Sequence, residues 1–113
     1  MINDDEDAEG MLRQMVILPI VTGAHPMQIY LFGSRARGDH GPDSDYDLLV
    51  VLPQVQDKRS DAAHIRSLVQ GFPYGLDVLV TTPADLAWKG VYPGTIEHVA
   101  LQEGRLIYGP RAA

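Results

Sequence analysis

The sequence contains no cysteine, no excess of basic residues and no long uninterrupted apolar run. Without cysteine, the chain has no disulfides, thiolate metal ligands or cysteine nucleophiles, which fits a reducing cytoplasm. Nine Lys and Arg residues stand against fifteen Asp and Glu residues, so no basic face for nucleic acid is indicated. The apolar run 15–21 contains Pro19 and follows acidic residues. We therefore expect a cytoplasmic protein with no signal peptide, no membrane span and no direct nucleic-acid partner.

The length of 113 residues predicts one domain, residues 1–113, with a modest core. The net charge of −6 is concentrated near the start of the chain. There, an acidic N-terminal segment of about residues 1–8 is predicted to be a flexible, solvated tail. The first turn of a helix is the alternative, because carboxylates suit the positive end of a helix dipole. Docking on a basic partner is a further interpretation. The acids concerned are Asp4, Asp5, Glu6, Asp7 and Glu9.

Helical and strand patterns alternate along the chain, which predicts a layered α/β or α+β domain. Apolar spacing indicates a helix over 6–18, which Pro19 is expected to end or kink, and a loop over 22–26. The strand at 45–52 does not alternate, so we expect a central strand covered on both faces. Thr82 and Pro83 predict a helix start, and Gly90 interrupts that short helix. Further strands are predicted at 28–32, 76–80 and 105–108, and further helices at 57–70 and 93–104.

The most informative stretch is 31–52, which reads as a strand, a Gly33-Ser34 turn, a polar loop and a second strand. Asp45 and Asp47 open that second strand and, being two residues apart, point to the same face. Adjacent carboxylates repel each other unless a cation lies between them, and an oxygen-preferring divalent ion such as Mg²⁺ is the simplest one. The turn offers backbone N–H groups and a hydroxyl to a phosphate carried by that ion.

This spacing resembles the signature of the nucleotidyltransferase superfamily related to DNA polymerase beta. The shared pattern is Gly33-Ser34, ten further residues, and then Asp45-x-Asp47. The resemblance is closest to the minimal, single-domain MNT members, and it extends to the segments 76–80 and 100–108. It implies a small mixed β-sheet with helices packed on one side.

The resemblance also implies roles for individual residues in nucleotidyl transfer from ATP. Asp45 and Asp47 would bind two Mg²⁺ ions, and Asp77 would complete the site from a neighbouring strand and help to deprotonate the acceptor. The position of Asp77 inside an apolar strand supports this, because an unpaired charge there is costly. Gly33 and Ser34 would contact phosphate. Arg35 and Arg37 are expected to help bind the triphosphate, although one of them can instead pair with Asp39, Asp43 or the site acids.

Among MNT proteins, the usual partner is a HEPN ribonuclease toxin, which the MNT protein neutralises as an antitoxin by transferring AMP to a tyrosine and by binding. Larger relatives carry a helical domain that shapes the acceptor pocket. We therefore expect the acceptor surface here to come from a toxin in a hetero-oligomer or from a second copy in a homodimer. Two alternatives stay open: a non-catalytic module that masks its partner sterically, and a nucleotidyltransferase acting on a small molecule.

Two other metal- or phosphate-binding motifs are not supported by the residues present. An EF-hand loop starting at Asp43 would need glycine at Leu48 and glutamate at Gln54. The glycines at 33 and 38 have P-loop spacing, but Asp39-His40 replaces the required lysine and hydroxyl residue.

Overall fold

The computed structural model of the protein describes residues 4–111, with side chains from residue 7 onward. Within these residues, four strands form one sheet in the order β3-β2-β1-β4. β1 pairs antiparallel with β2 and with β4, whereas β2 and β3 run parallel. The predicted mixed sheet is therefore confirmed. The strands are β1 Gln28–Phe32, β2 Tyr46–Val51, β3 Leu76–Thr81 and β4 Arg105–Tyr108.

The N-terminal helix does not end at Pro19, so of the two expected outcomes, an end or a kink, the first was wrong. Helix α1, Asp4–Met11, continues through a π-helical turn, Leu12–Ile17, into α2, Leu18–Ala24. Pro19 follows directly on the π-helical turn, whose changed hydrogen-bond spacing accommodates a residue without an N–H. The helix ends instead at His25, in the left-handed conformation with φ of 51°. The acidic segment is thus helical from Asp4, and the residues before Asp4 lie outside the described part.

The longer connecting helices begin at side-chain caps, of which Thr82 was predicted. Asp57 caps α4 by accepting hydrogen bonds from the backbone N–H groups of Arg59 and Ser60. Thr82 caps α5, with Pro83 as its first residue, and α5 ends before Gly90, as predicted. Thr95 caps α6, which begins three residues later than expected. The helices after β1 are α3 Ser34–Arg37, α4 Lys58–Ser67, α5 Pro83–Lys89 and α6 Ile96–Glu103.

Helices cover both faces of the sheet, so the expectation that they pack on one side was wrong. The even-numbered residues of β2 and β3 join the larger core with the N-terminal helices and α4. The odd-numbered residues Leu49 and Val51 pack with Leu86 of α5 and Ala100 of α6. The apolar run of β2 explains this arrangement, because side chains on both faces of a central strand require cover. Within residues 4–111, no helix is long and apolar enough to cross a membrane.

Candidate active site

Asp47 and Asp77 occupy the second positions of neighbouring parallel strands and are direct register partners. Register partners point to the same face of a sheet, on strands about 4.8 Å apart. Their carboxyl groups are close enough to share a hydrogen bond. The face is the one that α5 and α6 cover farther along the strands, at Val51 and Thr81. The two acids therefore meet at the open end of this face.

The pKa of the Asp47 carboxyl is raised above its ordinary value of 3.8. Partial burial is the largest cause, followed by the charge of Asp77 and the hydrogen bond with it, and then by the charge of Asp45. The charge of Arg37 acts weakly in the opposite direction. Like charges packed at a desolvated edge disfavour ionisation, and a bound cation would relieve that repulsion.

Asp45 lies just before β2 and is exposed, and it influences Asp47 through charge alone. Its carboxylate packs on the backbone of Gly75, where any Cβ would overlap Oδ1 of Asp45. Gly75 was not predicted as a site residue. The only sequence signal for it was a glycine two residues before Asp77 in the turn leading to β3.

Gly33 brings the turn after β1 against the acidic pair. Its φ of 76° and ψ of −161° belong to a backbone region that is essentially restricted to glycine. A Cβ at this position would overlap Oδ2 of Asp47. The half-buried Ser34 follows as the first residue of α3, a single turn closed by hydrogen bonds from Ala36 and Arg37 to the Gly33 carbonyl oxygen. The predicted turn and the predicted acids therefore meet.

The two arginines of α3 have different environments. Arg37 is exposed, and it donates hydrogen bonds to Asp39 at 3.1 Å and to Glu103 at 3.0 Å. These hydrogen bonds and charges raise the pKa of Arg37, with the hydrogen bond to Asp39 as the largest cause. Exposed ion pairs of this kind are weak, so the guanidinium can exchange these partners for a phosphate at low cost.

Arg35 is buried and holds the polar loop between α3 and β2. It donates to the carbonyl oxygen of Ser44 at 3.1 and 3.0 Å and to that of Pro42 at 3.3 Å. Its guanidinium lies 4.5 Å from the ring centroid of Tyr46 and 5.0 Å from that of Tyr74. Because this loop leads directly into Asp45, Arg35 positions the approach to the acidic site.

The donor set at this end of the sheet fits a hard divalent cation. Carboxylate oxygens are the ligands that Mg²⁺ takes from proteins, together with water and substrate phosphates. Within residues 4–111, however, no three carboxylate or imidazole side chains are arranged as a closed metal site. The arrangement is a contacting pair, Asp47 and Asp77, with Asp45 beside it.

The profile of the nucleotidyltransferase domain family matches residues 22–103, which include every residue of this site. The matched segment covers more than half of the chain and runs from the end of α2 to the end of α6. The chain therefore belongs to the nucleotidyltransferase domain family, as its spacing of glycine, serine and aspartates indicated. Among curated proteins, none has a significantly matching sequence.

Solved structures confirm the fold. A protein from Sulfolobus solfataricus, assigned as a nucleotidyltransferase, superposes with a TM-score of 0.65 at 16% identity, over 96% of this chain and 90% of that one. A chain from a crystal structure of a toxin-antitoxin with AMP-PNP superposes with a TM-score of 0.61 at 19% identity, over 84% of this chain and 72% of that one. At these identities, the likeness establishes the shared architecture.

Proposed function

We propose that this protein transfers AMP from ATP, with Mg²⁺, to a hydroxyl group of a partner protein, with tyrosine as the acceptor. We further propose that it thereby acts as the antitoxin of a HEPN ribonuclease toxin. The observation that carries the catalytic part is the contact between Asp47 and Asp77 beside the Gly33 turn. Clustered acids that raise the pKa of Asp47 cost stability, and a charge-neutralising site is a physical reason to keep them.

Each acid has a role that its position supports. Asp45 and Asp47 hold the cations that the triphosphate brings, and Asp77, exposed on the outer strand, faces the acceptor. The acceptor oxygen forms a bond to the α-phosphorus while the bond to pyrophosphate breaks, and the acceptor proton passes to the Asp77 carboxylate. When bound, Mg²⁺ supplies neutralisation of the charge on the α-phosphate and the departing pyrophosphate.

The Gly33-Ser34 turn and Arg37 bind the phosphates of the nucleotide. Gly33 lets backbone approach the site without a side chain, and Ser34 presents a hydroxyl to the β- or γ-phosphate. Arg37 exchanges its exposed carboxylate partners for the triphosphate. Arg35 was also expected to contact the triphosphate, but its donors to Pro42 and Ser44 favour a role in positioning the loop. We therefore assign the triphosphate contact to Arg37.

The antitoxin role is supported by the architecture shared with a chain of a toxin-antitoxin structure determined with AMP-PNP. A non-catalytic masking function is a second candidate, favoured by exposed apolar side chains near the end of α5. Trp88, Val91 and Tyr92 are all exposed there, and the rings of Trp88 and Tyr92 contact each other edge to face. Exposed apolar patches commonly mark protein interfaces.

Intact-mass analysis of a partner protein tests the catalytic proposal. A small helical protein encoded beside this chain, where one is found, should gain AMP when it is incubated with the chain, ATP and Mg²⁺. The Asp45→Ala/Asp47→Ala variant should leave the partner unmodified and should lose Mg²⁺-dependent ATP binding. An Asp7→Ala/Asp43→Ala control removes the same charge from exposed positions and should retain both activities.

The two candidate functions predict different results for the site variant. Loss of partner modification together with loss of toxin neutralisation supports AMP transfer. Full neutralisation by Asp45→Ala/Asp47→Ala, without any mass gain on the partner, would instead establish steric masking. No mass gain with the unaltered chain at saturating nucleotide would refute protein adenylylation.

A further inference from the structure

The two edges of the sheet differ in how they are protected. β4 is a four-residue edge strand that starts at the exposed Arg105, and its pairing with β1 contains a register shift. β3 has six residues, pairs with β2 without a shift, and contains no lysine, proline or glycine. Charged residues, bulges and short length are the usual protection of an edge against pairing. The β3 edge has one charged side chain, Asp77, near its start, but it has neither a bulge nor a shortened strand, so its segment 78–80 is open to an added strand.

The backbone direction along β3 identifies the groups that an added strand would meet. At the two ends of the β2–β3 ladder, Tyr46 N–H donates to the Gly75 carbonyl and Leu52 N–H donates to the Thr81 carbonyl. Odd-numbered residues of β3 therefore face β2, and hydrogen-bonding groups alternate along a strand. The N–H and C=O groups of Leu76, Val78 and Val80 point outward, where residues 4–111 provide no further strand.

A groove of about 390 Å³ runs along this edge. One wall is the start of α4, the other is Ile96 at the start of α6, and the floor is the edge of β3 at 78–80. The Leu79 side chain is 42% exposed beside the groove, on the same face as Asp77. The lining residues are Lys58, Arg59, Ala62, Val78, Leu79, Val80 and Ile96.

Charge distinguishes the two ends of this groove. Asp77 lies one residue before the groove floor, near the start of β3, and Lys58 and Arg59 line the groove from α4. Lys58 is 3.9 Å from Asp85, a long and partly exposed ion pair. A segment lying along the groove would therefore meet basic groups about 10 Å from Asp77, at about 3.3 Å per residue.

We propose that this edge binds the acceptor protein as an extended strand that presents its hydroxyl residue beside Asp77. In the added strand, the residue that lies beside Leu79 is on the same face as the hydroxyl residue and is apolar. The added-strand residue beside Val80 lies on the opposite face, towards α4, and is acidic. Hydroxyl and acid are therefore three positions apart, as Asp77 and Val80 are. Main-chain hydrogen bonds supply affinity, and alternate side chains supply selectivity.

This assignment rests on the proposed function, because Asp77 acts on the acceptor only if nucleotidyl transfer takes place. There, the acceptor oxygen bonds to the α-phosphorus, pyrophosphate leaves, and the proton passes to Asp77. A second copy of the chain that paired through its own β3 would supply no acceptor. Its β3 carries one hydroxyl residue, Thr81, which is buried and donates to Glu97 at 2.8 Å.

Peptide binding to the full chain without nucleotide tests the edge independently of catalysis. The probes are short β-prone peptides, in both chain directions, with tyrosine, an aliphatic residue two positions away, and glutamate three positions away. Matched peptides carry lysine in place of glutamate, or glutamate shifted by one position. Fluorescence anisotropy should show the glutamate peptides binding about tenfold tighter than the lysine peptides. Arg59→Glu should reverse that preference.

A pair of leucine variants separates the groove from general surface effects. Leu79→Ser should weaken binding of the glutamate peptide about tenfold, because it removes the apolar contact next to the tyrosine. Leu101→Ser is the control: Leu101 is 41% exposed, nearly as much as Leu79, but lies on α6 and outside the groove lining. Circular dichroism of both variants should match that of the unaltered chain.

The outcomes distinguish this inference from the proposed function. Selective binding without AMP gain in Mg²⁺ and ATP would overturn the proposed transfer and retain the edge as a binding site. AMP gain on the partner protein, with peptides that fail to bind or bind without regard to glutamate position, would overturn the edge and retain the transfer. A dimer in sedimentation analysis that Leu79→Ser dissociates would make a second copy the occupant, and would also overturn the inference.

Discussion

The acidic residues at the open end of the sheet concentrate negative charge at a cost in stability. The raised pKa of Asp47 shows that the folded chain resists ionising it while Asp77 and Asp45 are nearby. Glycines stand where two of these carboxylates touch backbone, Gly33 against Asp47 and Gly75 against Asp45. Each glycine lets a carboxylate take space that a side chain would occupy. The backbone is thus shaped around the acids, which is typical of functional sites.

Alanine substitutions at two glycines with similar positive φ values distinguish the cost of backbone strain from the effect of displacing a site carboxylate. Gly33 has φ of 76° and contacts Asp47, whereas Gly38 has φ of 86° with nothing near its missing Cβ. Gly38→Ala should cost about 1 kcal/mol of unfolding free energy and retain Mg²⁺-dependent ATP binding. Gly33→Ala should cost about 1–3 kcal/mol and also displace the Asp47 carboxylate. Calorimetric titration should then show ATP affinity reduced at least about tenfold. Equal ATP affinity in the two variants would contradict the proposed role of Gly33.

The sequence identified most of these residues because the motif is local. Gly33, Ser34, Asp45 and Asp47 lie within one hairpin, so their spacing alone predicts that they meet. Asp77 was predicted from a charge in an apolar strand together with family resemblance, and the β2–β3 register brings it to Asp47. Gly75 could not be predicted, because its importance depends on the direction of the Asp45 side chain. The metal, nucleotide and catalytic roles of all these residues stay predictions.

At the level of elements, the loop over 38–45 is held by contacts rather than by regular structure. Arg35 reaches back from α3 to the carbonyl oxygens of Pro42 and Ser44. Its guanidinium also stacks on Tyr46 and Tyr74, which contact each other at a centroid distance of 5.6 Å. One planar cation therefore ties α3, the loop and the turn before β3 together. A loop fixed in this way delivers Asp45 to the site with little conformational freedom.

Replacing Arg35 with lysine tests whether it positions the loop or binds the triphosphate. Lysine keeps the charge but lacks the planar fork, so Arg35→Lys should destabilise the fold by about 1–3 kcal/mol. Turnover should fall, while KM for ATP changes little. An exposed control, Arg13→Lys, should leave stability and turnover unchanged. A large rise in KM for ATP with unchanged melting temperature would instead place Arg35 on the triphosphate, as first expected from the sequence.

The element boundaries show where local rules succeed and where packing overrides them. Strand β1, the Thr82 cap and the start of α4 near Asp57 follow from local chemistry, and they were predicted correctly or nearly so. The helix running past Pro19 was not, because a π-helical turn changes the hydrogen-bond spacing before the proline. Buried Val16, Ile17 and Ile20 on either side of Pro19 join the core, so burial favours a continuous helix. This gain in stability from burial depends on tertiary packing, so no local sequence pattern predicts it.

At the scale of the whole molecule, stability and the proposed site compete. Helices cover both faces of the sheet, yet on the odd-numbered face Asp47 is only half-buried and Asp77 is exposed. Covering this end with apolar residues would enlarge the core but close the proposed site. At the open end, like charges are partly desolvated, and the stability of the rest of the fold offsets their repulsion. The acidic net charge of −6 adds to that repulsion in the absence of a cation.

The pH dependence of global stability should expose this cost. The folded pKa of Asp47 lies above its ordinary value of 3.8, so folding favours the protonated carboxyl. The stability this contributes is present below the ordinary pKa and is lost as pH rises through the higher folded pKa. Asp47→Asn cannot ionise and should be more stable than the unaltered chain at neutral pH, by up to about 1 kcal/mol because the carboxyl is partly screened by solvent.

Thermal unfolding of both proteins from acid to neutral pH, without divalent ions, measures this difference. The unaltered chain should lose stability relative to Asp47→Asn as pH rises above 3.8, and the gap should level off once Asp47 is ionised. Millimolar Mg²⁺ at neutral pH should then raise the melting temperature of the unaltered chain, because a cation that binds only the folded state stabilises it by mass action. Asp47→Asn should respond weakly. If Mg²⁺ stabilised both proteins equally, the cation would bind elsewhere, and the acids at the sheet end would need another explanation for their proximity.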